Sequence, residues 1–174
     1  MNLDRLPVYP YGIKTSLTYL QIAAHLDAIE RFNIGLFVEL GVLEGGLASV
    51  IRPCVERGVC NYVGVELKQE YVNKDIAEEC NIIYGDCFSF RVQDKVRWYI
   101  DNCNRPALVF CDNGNKPREL IEYAPILRPG DYLSVHDYGT EVMDGDLKVL
   151  KNLFVEIEPE QRREFIKMPL FKRL

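Results

Sequence analysis

Histidine is scarce in this chain, and its cysteines never fall in a metal-binding spacing. Only His25 and His136 occur, and Cys54, Cys60, Cys80, Cys87, Cys103 and Cys111 form no Cys-x-x-Cys pair. That excludes the common zinc modules and leaves no obvious disulfide framework. Cys111 closes an apolar run and Cys54 falls inside a helical pattern, so all six read as small buried hydrophobes in a reducing compartment. No apolar stretch approaches the length of a membrane span, and the opening MNLDRLPVYPYG holds none long enough for a secretory signal. Cytoplasm is the expected compartment. Basic residues are in deficit, 21 Lys and Arg against 26 Asp and Glu, for a net charge of −5. This argues against non-specific binding to nucleic acid or to an anionic membrane. Repeats, linkers and low-complexity segments are also missing. The 174 residues read as one domain, with 1–14 as an extended arm rich in proline and tyrosine.

What is there centres on Leu36 to Ala48, LFVELGVLEGGLA. Leu36, Phe37, Val38 and Leu40 form the short apolar run of a buried parallel strand, interrupted by Glu39. Gly41, Gly45 and Gly46 follow, and a helix-compatible run begins at Leu47. Glycines between a strand and a helix N-terminus let the backbone approach a ligand, and the helix start suits a carboxylate or phosphate.

Four more strands with acidic ends follow along the chain. The pattern predicts strands at 35–40, Tyr62–Leu67, Asn81–Tyr84, Ala107–Cys111 and Tyr132–Val135, ending at Glu39, Glu66, Asp86, Asp112 and Asp137. Between them it predicts helices capped at Thr15 or Ser16 and running to Phe32, at 46–57, at Gln69–Glu79, at Phe88–Cys103 and at Lys116–Leu127. Pro53 is expected to kink or shorten the second of these. His25 reads as a half-buried helical histidine. A helix at Asp146–Val155 and one or two strands within 163–173 complete the chain. Regular alternation implies a doubly wound α/β fold with a parallel sheet, whose ligands bind beyond the C-terminal strand ends. Five strands ending in five acids place negative charge there.

A carboxylate ending the second strand can accept from both hydroxyls of a ribose, and Glu66 lies 25 residues after Gly41, a suitable interval for an adenosine ligand. Asp86 could accept from an adenine amino group. A dinucleotide reader wants Gly-x-Gly-x-x-Gly, whereas this chain reads Gly41-Val42-Leu43-Glu44-Gly45-Gly46. The glycine that admits pyrophosphate is missing, and Glu39 beside it is unhelpful to a diphosphate. Glu39 suits a ligand with an ammonium and a sulfonium instead. S-adenosylmethionine carries both, plus a carboxylate for the helix N-terminus.

VELGVLEGG, VGVEL, YGDCF, LVFCDNGNKPREL and GDYLSVHDYG together resemble the ordered motifs of class I S-adenosylmethionine-dependent methyltransferases. The likeness is nearest to the branch of macrolide-sugar O-methyltransferases and cephalosporin-hydroxylase-like proteins, and it spans roughly Leu36 to Tyr138. It implies a Rossmann-like, doubly wound, mostly parallel seven-stranded sheet with an antiparallel C-terminal strand. It further implies cofactor contacts at Glu39, Gly41, Gly45, Glu66 and Asp86, with Gly46, Cys87 and Asp112 adjoining them. Metal-dependent relatives hold Mg²⁺ with acids matching Asp112 and Asp137. The asparagine that catechol-type relatives carry next is here Tyr138, which leaves Asn113 as the substitute ligand.

The expected activity is O-methylation of a small hydroxylated acceptor, with Mg²⁺ as an optional aid. A cation on Asp112 and Asp137 would lower a hydroxyl's pKa. Without one, His136 is the candidate base, backed by Lys116 and Asp137. No inserted segment covers the cofactor, so the arm, the 139–145 loop or a second subunit must wall the acceptor site, and a homodimer is expected. The competing readings are a non-catalytic nucleotide- or partner-binding module and an NAD-linked oxidoreductase.

Overall fold

The computed structural model describes residues 10–174, so the apolar part of the arm, including Leu6, Val8 and Tyr9, lies outside the described residues. Among the described residues seven strands form one sheet: β1 (Leu36–Leu40), β2 (Asn61–Glu66), β3 (Ile82–Tyr84), β4 (Ala107–Cys111), β5 (Tyr132–Val135), β6 (Phe154–Ile157) and β7 (Leu170–Arg173). Their order is β3-β2-β1-β4-β5-β7-β6. β1 to β5 pair in parallel, and β7 runs antiparallel to both neighbours. This is the mostly parallel seven-stranded sheet expected from the sequence, with the C-terminal strand reversed as implied.

β1 is buried at every position because helices cover both faces. Leu36, Val38 and Leu40 face the core built with α4 (Phe90–Asp101) and α5 (Lys116–Tyr123). Phe37 points the other way, into the core built with α1 (Tyr19–Arg31) and α2 (Gly46–Glu56). Glu39, two residues on, shares the Phe37 face. Among the described residues no helix is long and apolar enough to cross a membrane.

Several local expectations are corrected. The first helix starts later than Thr15 or Ser16, because Thr18 and Gln21 make a capping box with reciprocal side-chain-to-backbone bonds. Pro53 does not end α2 early; the helix continues to Glu56, and the Arg57 N–H reaches back to the Pro53 carbonyl. The single helix expected over 69–79 is broken. Gln69–Tyr71 is a 3₁₀ turn, Val72 is extended, and the Asn73 side chain caps α3 (Lys74–Glu79) by accepting from the Asp75 N–H. The fifth helix tightens into a 3₁₀ turn at Ala124–Ile126, where Pro125 lacks the N–H for an α bond. The helix expected at 146–155 is a 3₁₀ turn, Asp146–Leu150, and then β6. β6 gains its bonds from β7, a partner no local pattern displays.

His25 is not half-buried but fully enclosed, 1% exposed. Its ring meets Phe37 and Phe110 edge-on, and burial, aided by Arg162, pushes its pKa down to about 3. A neutral core imidazole results. All six cysteines are free thiols, in keeping with their structural reading.

Candidate functional site

Hydrogen bonds that continue the strand ladders past their ends assemble the site. Gly41 N–H donates to the Val65 carbonyl, Asp112 N–H to Leu40 and His136 N–H to Cys111. The residues just after β1, β4 and β5 are thereby brought level. Above them lie two adjoining cavities of about 500 and 490 Å³, which share Ser16, Gly41, Leu43, Tyr71 and Asp112. The first is lined by Glu39 and the Gly41–Glu44 turn, the second by Glu66, Asn113, Lys116, His136 and Asp137. Of the cofactor residues expected from sequence, Gly45, Asp86 and Cys87 line neither.

The glycine turn is built for packing as much as for a ligand. Gly41 has φ +90°, and a Cβ there would sit 2.6 Å from the Asp112 carbonyl oxygen. Gly45 has φ +92°, and a Cβ would strike Ile76. A Cβ on Gly46 would meet the Lys14 carbonyl and the Thr15 side chain, both at 2.5 Å. The start of α2, expected to receive an anion, is therefore approached by the chain's own 14–16 segment. Between these glycines Leu43 takes a left-handed φ of 50°. Glu66 holds it there: one carboxylate oxygen accepts from the Leu43 N–H at 2.8 Å, the other from the Leu67 N–H at 2.7 Å. Each oxygen keeps a further lone pair for a ribose hydroxyl. Replacing Glu66 by Ala is expected to cost about 1–3 kcal/mol of folding stability through these two orphaned donors. It should also weaken an adenosine ligand about tenfold or more. Thermal melts and calorimetry read the two losses separately, and unchanged values in both would remove Glu66 from the turn and from the site.

Glu39 is the most exceptional carboxylate. It is 3% exposed, lies between Gly64 and Phe110 in the sheet, and accepts a hydrogen bond from the Tyr62 hydroxyl. Burial raises its pKa well above the usual range; the phenol bond opposes this, while the charges of Asp112 and Glu66 add to it. Among the described residues, the groups that shift it are a phenol and two more carboxylates.

The third cluster joins the ends of β4 and β5. His136 Nδ1 lies 2.9 Å from Asp112 Oδ1 and 3.4 Å from Asp137 Oδ2. Burial lowers the His136 pKa, but the hydrogen bond and charge of Asp112, with the charge of Asp137, outweigh it and the net shift is upward. Asp137 has φ 58°, a strained conformation for a non-glycine residue at a functional position. Three backbone N–H groups, those of Thr140, Glu141 and Val142, converge on its carbonyl and stabilise it.

Lys116, expected from sequence only to back the candidate base, is 4% exposed. Its ammonium lies 2.9 Å from Glu141, 3.1 Å from Asp137, 3.6 Å from Asp112 and 3.1 Å from the Asn113 carbonyl. Asn113, the substitute metal ligand, instead commits its side-chain amide to Cys87 Sγ at 3.0 Å. Sequence reading missed two members of this region. Glu141 belongs to the 139–145 loop, already suspected of walling the acceptor. Glu119 is fully buried and accepts from the Asn113 and Asn115 N–H groups, which fixes the loop after β4. Burial, offset by those two bonds, pushes its pKa up to about 7. Its spacing of three residues from Lys116 on α5 was the available signal.

The donor atoms of Asp112, His136 and Asp137 lie within 4.8 Å of one another. That convergence follows from β4 and β5 being parallel neighbours, and it is compatible with one cation. The Lys116 ammonium already stands against both carboxylates, however. An ion about 2.1 Å from those oxygens would overlap or closely confront it. A divalent metal fits this set only if Lys116 withdraws.

No family model and no curated protein matches the chain. Solved structures do. An apo structure of CmcI aligns at TM-score 0.75 with 15% identity, over 100% of this chain and 78% of that one. A Mg-SAM structure of CmcI aligns at 0.74 with 15% identity and the same coverage. The O-methyltransferase TomG from Streptomyces achromogenes, in complex with SAM, aligns at 0.57 with 15% identity, over 91% of this chain and 81% of its own. At such identity the likeness establishes architecture, and this chain has the Rossmann-like fold that these structures share.

Proposed function

We propose that the protein is an S-adenosylmethionine-dependent O-methyltransferase acting on a small hydroxylated acceptor. The observation that carries this reading is Glu39: a buried carboxylate on the wall of a cavity, whose hydrogen-bond partner among the described residues is a phenol rather than a cation. Such a group is costly unless a positive ligand meets it. An ammonium or sulfonium satisfies it, whereas the diphosphate of NAD would be repelled by Glu39, Glu66 and Asp112 together. Glu66, with spare lone pairs, suits the ribose, and the SAM-bound relatives of this fold lend support.

S-adenosylmethionine supplies an electrophilic methyl group, so the chain's own residues need only orient the acceptor and receive its proton. Asp112 accepts from His136 Nδ1, which leaves Nε2 as the nitrogen that takes the proton from the hydroxyl. The Asp112 carboxylate also stabilises the imidazolium that results. Lys116 and Asp137 hold this pair in place. Mg²⁺ assistance is compatible with the acid positions alone and requires Lys116 to move. The single-domain organisation, the homodimer and the cytoplasmic setting belong to the same proposal; the unbroken seven-stranded sheet supports the first, and light scattering reads the second.

Calorimetry decides between cofactors. S-adenosylmethionine should bind in the micromolar range, about 8 kcal/mol, and NAD should give no saturable heat. Binding of NAD alone would transfer the protein to the oxidoreductase reading, and binding of neither would favour a non-catalytic module.

A further inference from the structure

We propose that Lys116 is the resident cation of this site, its ammonium joining Asp112, Asp137 and Glu141 where a divalent ion would otherwise bridge the carboxylates. The site is thereby complete without metal. The inference concerns the same cluster as the proposed activity but does not depend on it.

An ammonium has three donors. Here they are matched by Glu141 at 2.9 Å, Asp137 at 3.1 Å and the Asn113 carbonyl at 3.1 Å, with Asp112 adding charge at 3.6 Å. Nothing is left unsatisfied that would drive the side chain outward. A lysine 4% exposed is held in only when paired. Its position in the chain makes the point sharper. Lys116 opens α5, and a cation at a helix N-terminus faces the positive end of the dipole. The acids, not the helix, therefore determine where the ammonium goes. Asp112 Oδ1 also receives His136 Nδ1 at 2.9 Å, so an incoming ion would meet an oxygen already bonded to an imidazole and faced by an ammonium at 3.6 Å. Glu141 is relevant for a different reason: it is half exposed and pairs with the ammonium from the loop side.

The test uses Mn²⁺ as the probe, read by water-proton relaxation, with no cofactor or acceptor present. Wild-type protein should show no saturable Mn²⁺ binding up to about 1 mM, the weak end of oxygen-ligand sites. Lys116→Met removes the charge and keeps the bulk, and it should bind Mn²⁺ at least about tenfold more tightly. Adding Asp137→Asn to that variant should abolish the gain. Wild-type binding as tight as that of Lys116→Met would overturn the proposal, and so would a folded Lys116→Met that binds no Mn²⁺. If Lys116→Met does not fold, the wild type still decides: Mn²⁺ binding that Asp137→Asn removes would refute a lysine-filled site, and a melting temperature indifferent to Mn²⁺ and EDTA would support it. Failure of methyl transfer from S-adenosylmethionine, by contrast, would refute the activity and leave this result untouched.

Discussion

Glu39→Gln is expected to stabilise the ligand-free protein at neutral pH while weakening S-adenosylmethionine binding about a hundredfold. The opposite signs have one cause. In the free protein Glu39 is buried beside a phenol and two carboxylates, and Gln keeps an oxygen to accept the Tyr62 hydroxyl. The sign with pH follows from proton linkage. Glu39 has a folded pKa above its unfolded value. Its favourable contribution is therefore present below the unfolded pKa and is lost as pH rises from there through the folded one. Glutamine does not titrate, so the stability gap between variant and wild type should be small near pH 4 and grow toward pH 8, the two lying on either side of a free glutamate's ~4.3. When the ammonium of the ligand arrives, the same carboxylate becomes half of a buried pair. Removing one partner of such a pair costs about 3 kcal/mol or more, hence the hundredfold. Denaturant titration at the two pH values and calorimetry at neutral pH measure both. A variant no more stable than wild type at the higher pH would mean that the folded protein does not hold the Glu39 pKa above its unfolded value, and the cationic-ligand argument would lose its basis.

The second large effect belongs to Gly41. An alanine here must adopt φ +90° with its Cβ 2.6 Å from the Asp112 carbonyl oxygen, 2.9 Å from Asn113 Cα and 3.0 Å from the Asp112 carbonyl carbon. All three are backbone atoms, so no side chain can rotate aside. Strained backbone and overpacking each cost about 1–3 kcal/mol, and Gly41→Ala should lose about 3 kcal/mol or more in total. For a chain of this size that lowers the melting temperature by about 6–12 °C. The displaced atoms belong to Asp112, which holds His136, and to Asn113 beside it, so cofactor binding and turnover should fall with stability. Gly58→Ala is the control. Gly58 also has positive φ (+68°) but nothing within 4 Å of a Cβ, so it carries the conformational penalty alone, about 1 kcal/mol. Equal melting temperatures for the two variants would show that the Asp112 segment yields freely and that the close approach constrains nothing.

What the sequence by itself determined was the sheet and the floor of the site. β1, β2, β4 and β5 were legible because a strand covered on both faces must be a continuous apolar run, and because the acids at 39, 66, 112 and 137 interrupt those runs at the end where ligands bind. The meeting of Asp112 with Asp137 followed from the same logic, since strand neighbours in a parallel sheet bring their C-terminal ends together. The resemblance to class I methyltransferases supplied the strand count and the reversed last strand, which alternation alone could not. Tertiary structure decided the rest. The first half of β6, Phe154 and Val155, had read as helix because its ladder partner, β7, follows it across the helical segment at 159–166, out of reach of local periodicity. The long helix over 69–79 was lost to an extended Val72 and an Asn73 cap that local spacing had not weighed. His25 is neutral because Phe37 and Phe110, from two different strands, exclude water from it. Lys116 is the clearest case. On α5 it is one more charged residue in a first turn, and its burial depends on Asp137 and Glu141, 21 and 25 residues further on. Periodicity records which face of its own element a residue occupies. Which charges it meets there depends on how separate elements cross, and the crossing is fixed only when the whole sheet is assembled.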